Sequence, residues 1–106
     1  MGLADNFRAM LARGQDSALL RFSLGRALLK DGDAAEAATH LAEAVRQDPG
    51  YSAAWKLYGK ALEATGDTGA AIDAYERGIE VAEGKGDKQA AREMTVFLKR
   101  LRRQSG

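Results

Sequence analysis

The sequence lacks several residue types on which catalytic and metal sites depend. Its 106 residues include no cysteine and one histidine, His40. The missing cysteines exclude disulfides, thiolate nucleophiles and cysteine-ligated metals. A single histidine excludes a two-histidine metal site and leaves any Ser-His-Asp triad dependent on His40 alone, with no distinctive serine nearby in the sequence. We interpret His40 as a partly exposed helix residue, and we predict no enzymatic activity, cofactor or metal.

Long apolar runs and an excess of one charge are also missing. No stretch of eighteen apolar residues occurs, and the start "MGLADNFRAM" lacks a basic region followed by an apolar run, so neither a membrane span nor a secretory signal is predicted. Sixteen basic residues stand against fifteen acidic ones, which gives no strong overall attraction to nucleic acid or anionic lipid. We expect a cytoplasmic protein, and the Ala, Arg and Gly content favours a bacterial source.

Alanine, leucine and long charged residues dominate what is present. Alanine supplies 21 residues, while proline occurs once and β-branched residues are sparse, so the composition favours helix throughout. The pattern also repeats: residues 18–51 align with 52–85 at a period of 34. The matched pairs are Gly25 with Gly59, Ala27 with Ala61, Leu28 with Leu62, Gly32 with Gly66, Asp33 with Asp67 and Ala37 with Ala71.

Each copy carries apolar residues at helical spacing on both sides of a Gly-Asp pair, and is therefore predicted to form two helices. The glycine can end the first helix in a left-handed conformation, and the aspartate can cap the second. Asp33 and Glu36 form a possible capping box, which the second copy lacks because Ala70 stands there. The first turn is thus expected to be the better specified. The stretch "GKGDK" at 84–88 is interpreted as a linker, because no strand precedes it as a phosphate-binding loop requires.

These residues resemble the tetratricopeptide repeat, whose pattern runs W-x2-L-G-x2-Y, then A-x3-F, then P. The second copy supplies Trp55, Tyr58, Gly59, Leu62, Ala71 and Tyr75, and the first supplies Arg21, Leu24, Gly25, Leu28, Ala37, Leu41 and Pro49. The copies depart from the pattern at Arg21, at Leu28 and Leu62, and at Glu83. The resemblance implies an all-α fold, a right-handed stack of antiparallel helix pairs with about six helices.

Two repeats are too few for a continuous core, so the flanking segments are expected to complete one single domain. Residues 3–13 are predicted to form an N-terminal packing helix. Residues 87–103 are predicted to form a C-terminal capping helix that covers the second repeat, with Asp87 as its N-cap. Gly78 lies inside a predicted helix, where a close helix contact should offset the cost of glycine.

The resemblance implies a non-catalytic interaction or adaptor module that binds a segment of another protein along the first helix of each repeat. The spacing opposite the packing positions selects two stripes: Leu19, Phe22, Arg26 and Leu29, then Ala53, Lys56, Lys60 and Glu63. Arg26, Lys56 and Lys60 are expected to converge beside Phe22 and to accept an acidic peptide with an apolar anchor. No asparagine lies in these stripes, which disfavours the carboxylate clamp of chaperone-binding family members.

Three other interpretations stay open. The cations are equally explained as a solvated face, with Leu19, Phe22 and Leu29 packed under the N-terminal helix. Residues 86–106 hold six basic and two acidic residues, so the last helix is also a candidate for binding a polyanion, either nucleic acid or an anionic membrane. A short stack with incomplete ends is also compatible with a weak homodimer or a self-assembling scaffold, besides a monomer.

Overall fold

A computed structural model of the protein describes residues 2–105. These residues form six α-helices, joined by short turns and with no strand among them: α1 (Leu3–Ala12), α2 (Ala18–Lys30), α3 (Ala34–Gln47), α4 (Ser52–Ala64), α5 (Thr68–Lys85) and α6 (Lys88–Ser105). The predicted all-α stack of antiparallel pairs is confirmed. None of the described helices is long and apolar enough to cross a membrane.

The helices stack in two layers. Helices α2 and α3 form one pair, α4 and α5 form the next, and α6 packs on α5. Successive first helices of the pairs also contact each other, because α4 touches both α2 and α6. Helices α2, α4 and α6 therefore form one layer, which we call the inner layer. Helix α1 packs on α2.

Within each helix pair, a glycine of the first helix faces a large buried side chain of the second helix. A Cβ atom added at Gly25 would lie 2.5 Å from Leu41 Cγ, and one added at Gly59 would lie 2.6 Å from Tyr75 Cδ1. Leu41 and Tyr75 are both fully buried. The equivalent glycines of the two copies thus allow α2 and α4 to approach the side chains of their partner helices closely.

Gly78 has the close helix contact that the sequence predicts. A Cβ atom there would lie 2.5 Å from Met94 Sδ of α6 and 2.8 Å from Trp55 Cβ of α4. Any side chain at position 78 would therefore separate three helices. This close packing offsets the helix-propensity cost of glycine, which is about 1 kcal/mol relative to alanine.

Four turns end a helix with a glycine in the left-handed conformation: Gly14, Gly32, Gly66 and Gly86, with φ between 76° and 87°. The residue after each glycine donates its amide to a carbonyl on the preceding helix, as Asp67 does to Leu62 at 3.0 Å. The α3–α4 turn differs, since it contains Pro49. Its carbonyl accepts a hydrogen bond from the Trp55 indole at 2.8 Å.

Two predictions about the turns are wrong. Asp33 makes no side-chain capping hydrogen bond, and Glu36 binds Arg8 of α1 instead of capping α3, with Arg8 Nη2 donating at 2.6 Å. Asp67 of the second copy does cap, accepting from the Ala70 amide at 3.2 Å. The predicted linker at 84–88 is also shorter than expected, because α5 continues to Lys85 and α6 begins at Lys88.

Asp87 occupies the short connection that remains. Its carboxylate accepts from the Ala90 amide at 3.2 Å and from Ser52 Oγ at 3.0 Å. Asp87 therefore caps α6, as the sequence predicts, and also ties the start of α6 to the start of α4.

Candidate interaction surface

The inner layer presents the two stripes that the sequence selects, and α6 adds a third. Lys56 and Lys60 lie one turn apart on α4, and both are directed toward α6. Lys56 Nζ donates to Glu93 Oε1 at 2.8 Å. Lys60 Nζ lies 4.0 Å from the centroid of the Phe97 ring, a favourable cation–π distance.

The Lys56–Glu93 pair neutralises one of the predicted site cations. The hydrogen bond from Lys56 lowers the pKa of Glu93 below its usual value. Both side chains are partly exposed, Lys56 to 27% and Glu93 to 39%. The pair therefore connects α4 to α6 at the surface and contributes little to stability on its own.

Lys60 differs from Lys56 because it is exposed and its contact is with a ring rather than a carboxylate. Arg100 also lies near this ring, with Cζ 5.5 Å from the Phe97 centroid. Two cations thus flank Phe97 at the junction of α4 and α6. Of these two cations, only Lys60 has no ion pair among the described residues, because Arg100 also binds Glu63.

Glu63 ends the α4 stripe and joins three helices. It accepts hydrogen bonds from Arg100 of α6, at 2.7 Å, and from the hydroxyl of Tyr75 on α5. Burial of Tyr75, followed by its hydrogen bond to Glu63, raises the pKa of the phenol well above its ordinary value. Glu63 is therefore a structural acceptor, and its charge is compensated by Arg100.

Phe22 and Arg26 lie on α2, with different surroundings. The Phe22 ring is half-buried and tilted against Tyr51, with centroids 4.9 Å apart. Arg26 is exposed and lines a cavity between α1 and α2. Arg26 thus lies beside α1, whereas Lys56 and Lys60 of α4 are directed toward α6.

The structure thus brings Lys56 and Lys60 together along the α4–α6 junction. Phe22 and Arg26 lie on the neighbouring helix of the same layer. The alternative in which Leu19 packs under the N-terminal helix is wrong, since Leu19 is 65% exposed. Leu29 packs partly against the core around Leu24 and Leu28.

The sequence stripes omitted the residues of α6 that face α4. Lys56 and Glu93, Lys60 and Phe97, and Glu63 and Arg100 are each 37 residues apart. The start of α6 also lies farther along the chain than the 34-residue period gives, 36 residues after the start of α4, because α5 is four residues longer than α3 and the turn 86–87 is two residues shorter than the turn 48–51. In the sequence, three pairs of residues of complementary charge or cation–aromatic type at a spacing of 37 could have identified the contact between α4 and α6.

His40 belongs to a charged network on the outside of α2 and α3. Arg21 Nη1 approaches His40 Nδ1 at 3.1 Å, and His40 Nε2 lies 3.4 Å from Glu36 Oε2. Glu36 in turn binds Arg8 of α1. The side chain of His40 is 12% exposed, so it is a packed connection between helices. In the part of the chain that the structure describes, no three His, Cys, Asp or Glu side chains form a metal site.

Stacked helix pairs that share a continuous inner layer define a helical-repeat protein. Comparison with known proteins specifies the class further. The model of the tetratricopeptide repeat family matches residues 4–52 and 22–88. The TPR repeat-containing protein PA0015 of Pseudomonas aeruginosa is 54% identical over 101 residues, which cover 95% of this chain and 96% of that protein.

Solved structures show the same architecture. Protein BPP2914 from Bordetella parapertussis has a TM-score of 0.83 at 41% identity, covering 98% of this chain and 90% of that one. The TPR2B domain of yeast Sti1, solved in a pHsp70 complex, has a TM-score of 0.86 at 19% identity, covering 95% and 81%. This chain belongs to the tetratricopeptide repeat family.

Proposed function

We propose that the protein is a non-catalytic interaction module that binds an acidic peptide segment of another protein along the inner layer. The observation that carries the proposal is the exposed positive charge beside aromatic rings. Lys60 lies over the Phe97 ring without an ion pair among the described residues, Arg100 lies beside the same ring while bound to Glu63, and the exposed Arg26 lies one helix away near Phe22. An acidic segment with one apolar anchor matches this chemistry.

A different face of α6 carries further exposed positive charge. Lys88, Arg92, Lys99 and Arg103 are exposed, and none has a side-chain hydrogen bond or ion pair within residues 2–105. Val96, which is 61% exposed, lies among them. These four cations are not neutralised by the protein itself, so they make this end of the stack positive. The likeness to the Sti1 domain supports the proposal only through the shared fold.

The experiment uses a fluorescein-labelled peptide in which glutamates flank one leucine, with binding followed by anisotropy. We expect the double variant Arg26→Glu/Lys60→Glu to weaken binding by at least about tenfold, because each change replaces an attractive charge with a repulsive one. Lys56 is left unchanged, since a glutamate there would face Glu93 and disturb the α4–α6 contact.

The matched control is Arg13→Glu/Lys85→Glu, which changes the net charge by the same amount at exposed positions elsewhere. Affinity within about threefold of the wild type is expected for this control. Equal losses in both double variants would show that the peptide responds only to overall charge, and the site assignment would be abandoned. Circular dichroism of each variant verifies that the fold is retained.

Binding of a polyanion through α6 is the competing function. Arg100 and Arg102 already contact Glu63 and Glu76, and the one aromatic residue of α6, Phe97, is half-buried beneath Lys60 and Arg100. These contacts leave fewer cations for phosphates and no free ring for base stacking on this helix. A fluorescein-labelled duplex DNA fragment is therefore titrated with the protein in the same assay at about 50 mM salt. No change in its anisotropy is expected.

A further inference from the structure

A second surface lies between α1 and α2, and Arg26 is the one residue that it shares with the proposed peptide site. A cavity of about 470 Å³ is lined by apolar side chains from both helices, chiefly Phe7, Met10, Leu19 and Leu20. A smaller cavity of about 190 Å³ continues it toward the start of α1 and shares Phe7 and Ser23 with it. Together they form one groove along these antiparallel helices, which we call the N-terminal groove.

Two exposed leucines border this groove. Leu19 is 65% exposed and Leu3 is 60% exposed. Among the described residues, Val96 is the only other large apolar side chain with comparable exposure. Two of the three large exposed apolar residues in the described part of the chain thus lie at the same end of the stack. Exposed apolar patches of this kind mark sites of protein association.

The arrangement of α1 explains why the groove is open. Helix α1 packs on α2 and reaches α3 through the Arg8–Glu36 ion pair, so it occupies the position of a second helix in a preceding pair. The second helices α3 and α5 each pack against the first helix of their own pair. Within residues 2–105, α1 has no such first helix, and the face that it would cover is the N-terminal groove.

Charge at one end of the groove specifies the orientation of an occupant. Arg26 and Lys30 line the smaller cavity next to Leu3, and both are exposed. Helix α1 begins here, and Gly2 at its N-cap has no side chain to cap the first amides. This end is therefore positive through its two side chains, whereas the dipole of α1 is opposed by that of α2, which ends here at Lys30. At the other end, Asp16 is already bound by Arg21 and Gln47.

We propose that the N-terminal groove binds an amphipathic helix of a partner protein, which completes the unfinished first pair. A first helix of that pair would run antiparallel to α1 and parallel to α2. Its C-terminal end would then lie beside Arg26 and Lys30. The occupant is accordingly a helix with apolar residues at i, i+4 and i+7 and with acidic residues in its last turn.

The test uses a fluorescein-labelled helical peptide of about 16 residues, about 24 Å long as a helix. Three leucines follow the i, i+4, i+7 pattern, and the last turn carries glutamates. A companion peptide carries lysines in that turn. We expect the glutamate peptide to bind at least about tenfold more tightly than the lysine peptide, since Arg26 and Lys30 attract only the former. Equal affinities would refute the proposed orientation.

Leu19→Glu tests the apolar part of the groove, with Val96→Glu as the matched control. Both side chains are highly exposed, so both variants should remain folded. We expect Leu19→Glu to weaken binding of the glutamate peptide at least about tenfold, and Val96→Glu to change it by less than about twofold. Wild-type affinity in Leu19→Glu would overturn the proposal.

Two further measurements distinguish binding in this groove from binding on the inner layer and from self-association. Lys60→Glu should leave binding of the helical peptide unchanged; if it removes binding while Leu19→Glu does not, the peptide occupies the inner layer instead. Sedimentation of the wild type without peptide should show a monomer. A dimer that Leu19→Glu dissociates would show that a second copy of this chain fills the groove, contrary to the proposal.

Discussion

At the scale of single residues, the absence of a side chain determines how closely the helices approach. Gly25 and Gly59 occupy the same position of the two repeats, and each faces a fully buried residue of the partner helix. Their equivalence was evident from the sequence. The residues that fill the space beside them, Leu41 and Tyr75, are also equivalent. The same contact between a glycine and a large side chain therefore occurs in both repeats, with a leucine in the first and a tyrosine in the second.

The first prediction concerns Gly59→Ala. The added methyl overlaps the Tyr75 ring, which cannot move freely because its hydroxyl is bound to Glu63. Overpacking of this kind costs about 1–3 kcal/mol, which exceeds the gain of about 1 kcal/mol in helix propensity. We expect a lower free energy of unfolding, measured by urea denaturation.

Gly69→Ala is the matched control. Gly69 lies in the first turn of α5, and a Cβ atom there has no neighbour within 4 Å. The same substitution should therefore raise the free energy of unfolding by up to about 1 kcal/mol. Changes of the same sign in the two variants would contradict the role assigned to the Gly59–Tyr75 contact.

Residue-scale interactions between distant segments were the least predictable. Asp33 and Glu36 match the capping-box pattern, but Arg8, 28 residues before Glu36, binds its carboxylate through two nitrogen atoms. A local pattern cannot reveal this competitor, because the ion pair forms only when α1 and α3 are already packed. The same limit applies to Arg26, whose surroundings depend on where α1 begins on α2.

At the scale of whole elements, α6 completes the core and also extends the inner layer. Ala90, Ala91, Met94, Leu98 and Leu101 are its buried residues. They recur at helical spacing, which is why the sequence predicted a capping helix there. Its alignment with α4 was not predictable from the 34-residue period, because α5 is longer than α3 and α6 begins 36 residues after α4, with facing residues 37 apart.

The second prediction tests how α6 is held. Met94 is fully buried, and its sulfur lies where a side chain at Gly78 would be. Met94→Ala would leave a cavity between α4, α5 and α6, at a cost of about 2–5 kcal/mol. We expect a corresponding loss in the free energy of unfolding by chemical denaturation.

Val96→Ala on the same helix provides the comparison. Val96 is 61% exposed, so its truncation should change stability by less than about 0.5 kcal/mol. If both alanine variants were equally stable, α6 would be held mainly by its surface ion pairs rather than by its apolar face.

At the scale of the whole molecule, the core forms two clusters that share half-buried residues. One cluster surrounds Trp55, Tyr75 and Met94, and the other surrounds Leu24, Leu28 and Leu41. Phe22, Ala38 and Tyr58 pack against both clusters. This continuity predicts that the two repeats unfold together rather than one at a time.

The third prediction uses Trp55, the only tryptophan, as a probe of the second repeat. Leu28 is fully buried in the cluster of the first repeat. Leu28→Ala should lower the free energy of unfolding by about 2–5 kcal/mol. If the core is continuous, the midpoint measured by Trp55 fluorescence will fall as far as the midpoint measured by far-ultraviolet circular dichroism. A Trp55 transition that keeps its wild-type midpoint would show that the repeats unfold independently.

The two ends of the stack are chemically unlike, and this affects how such a protein can grow. The exposed face of α6 is charged, whereas the N-terminal groove retains an apolar surface. Ala18 and Ser52 begin equivalent helices 34 residues apart, so additional units inserted between Tyr51 and Ser52 would preserve both ends. Insertion of whole repeats inside the stack would then enlarge the inner layer, while one end would stay charged and the other apolar.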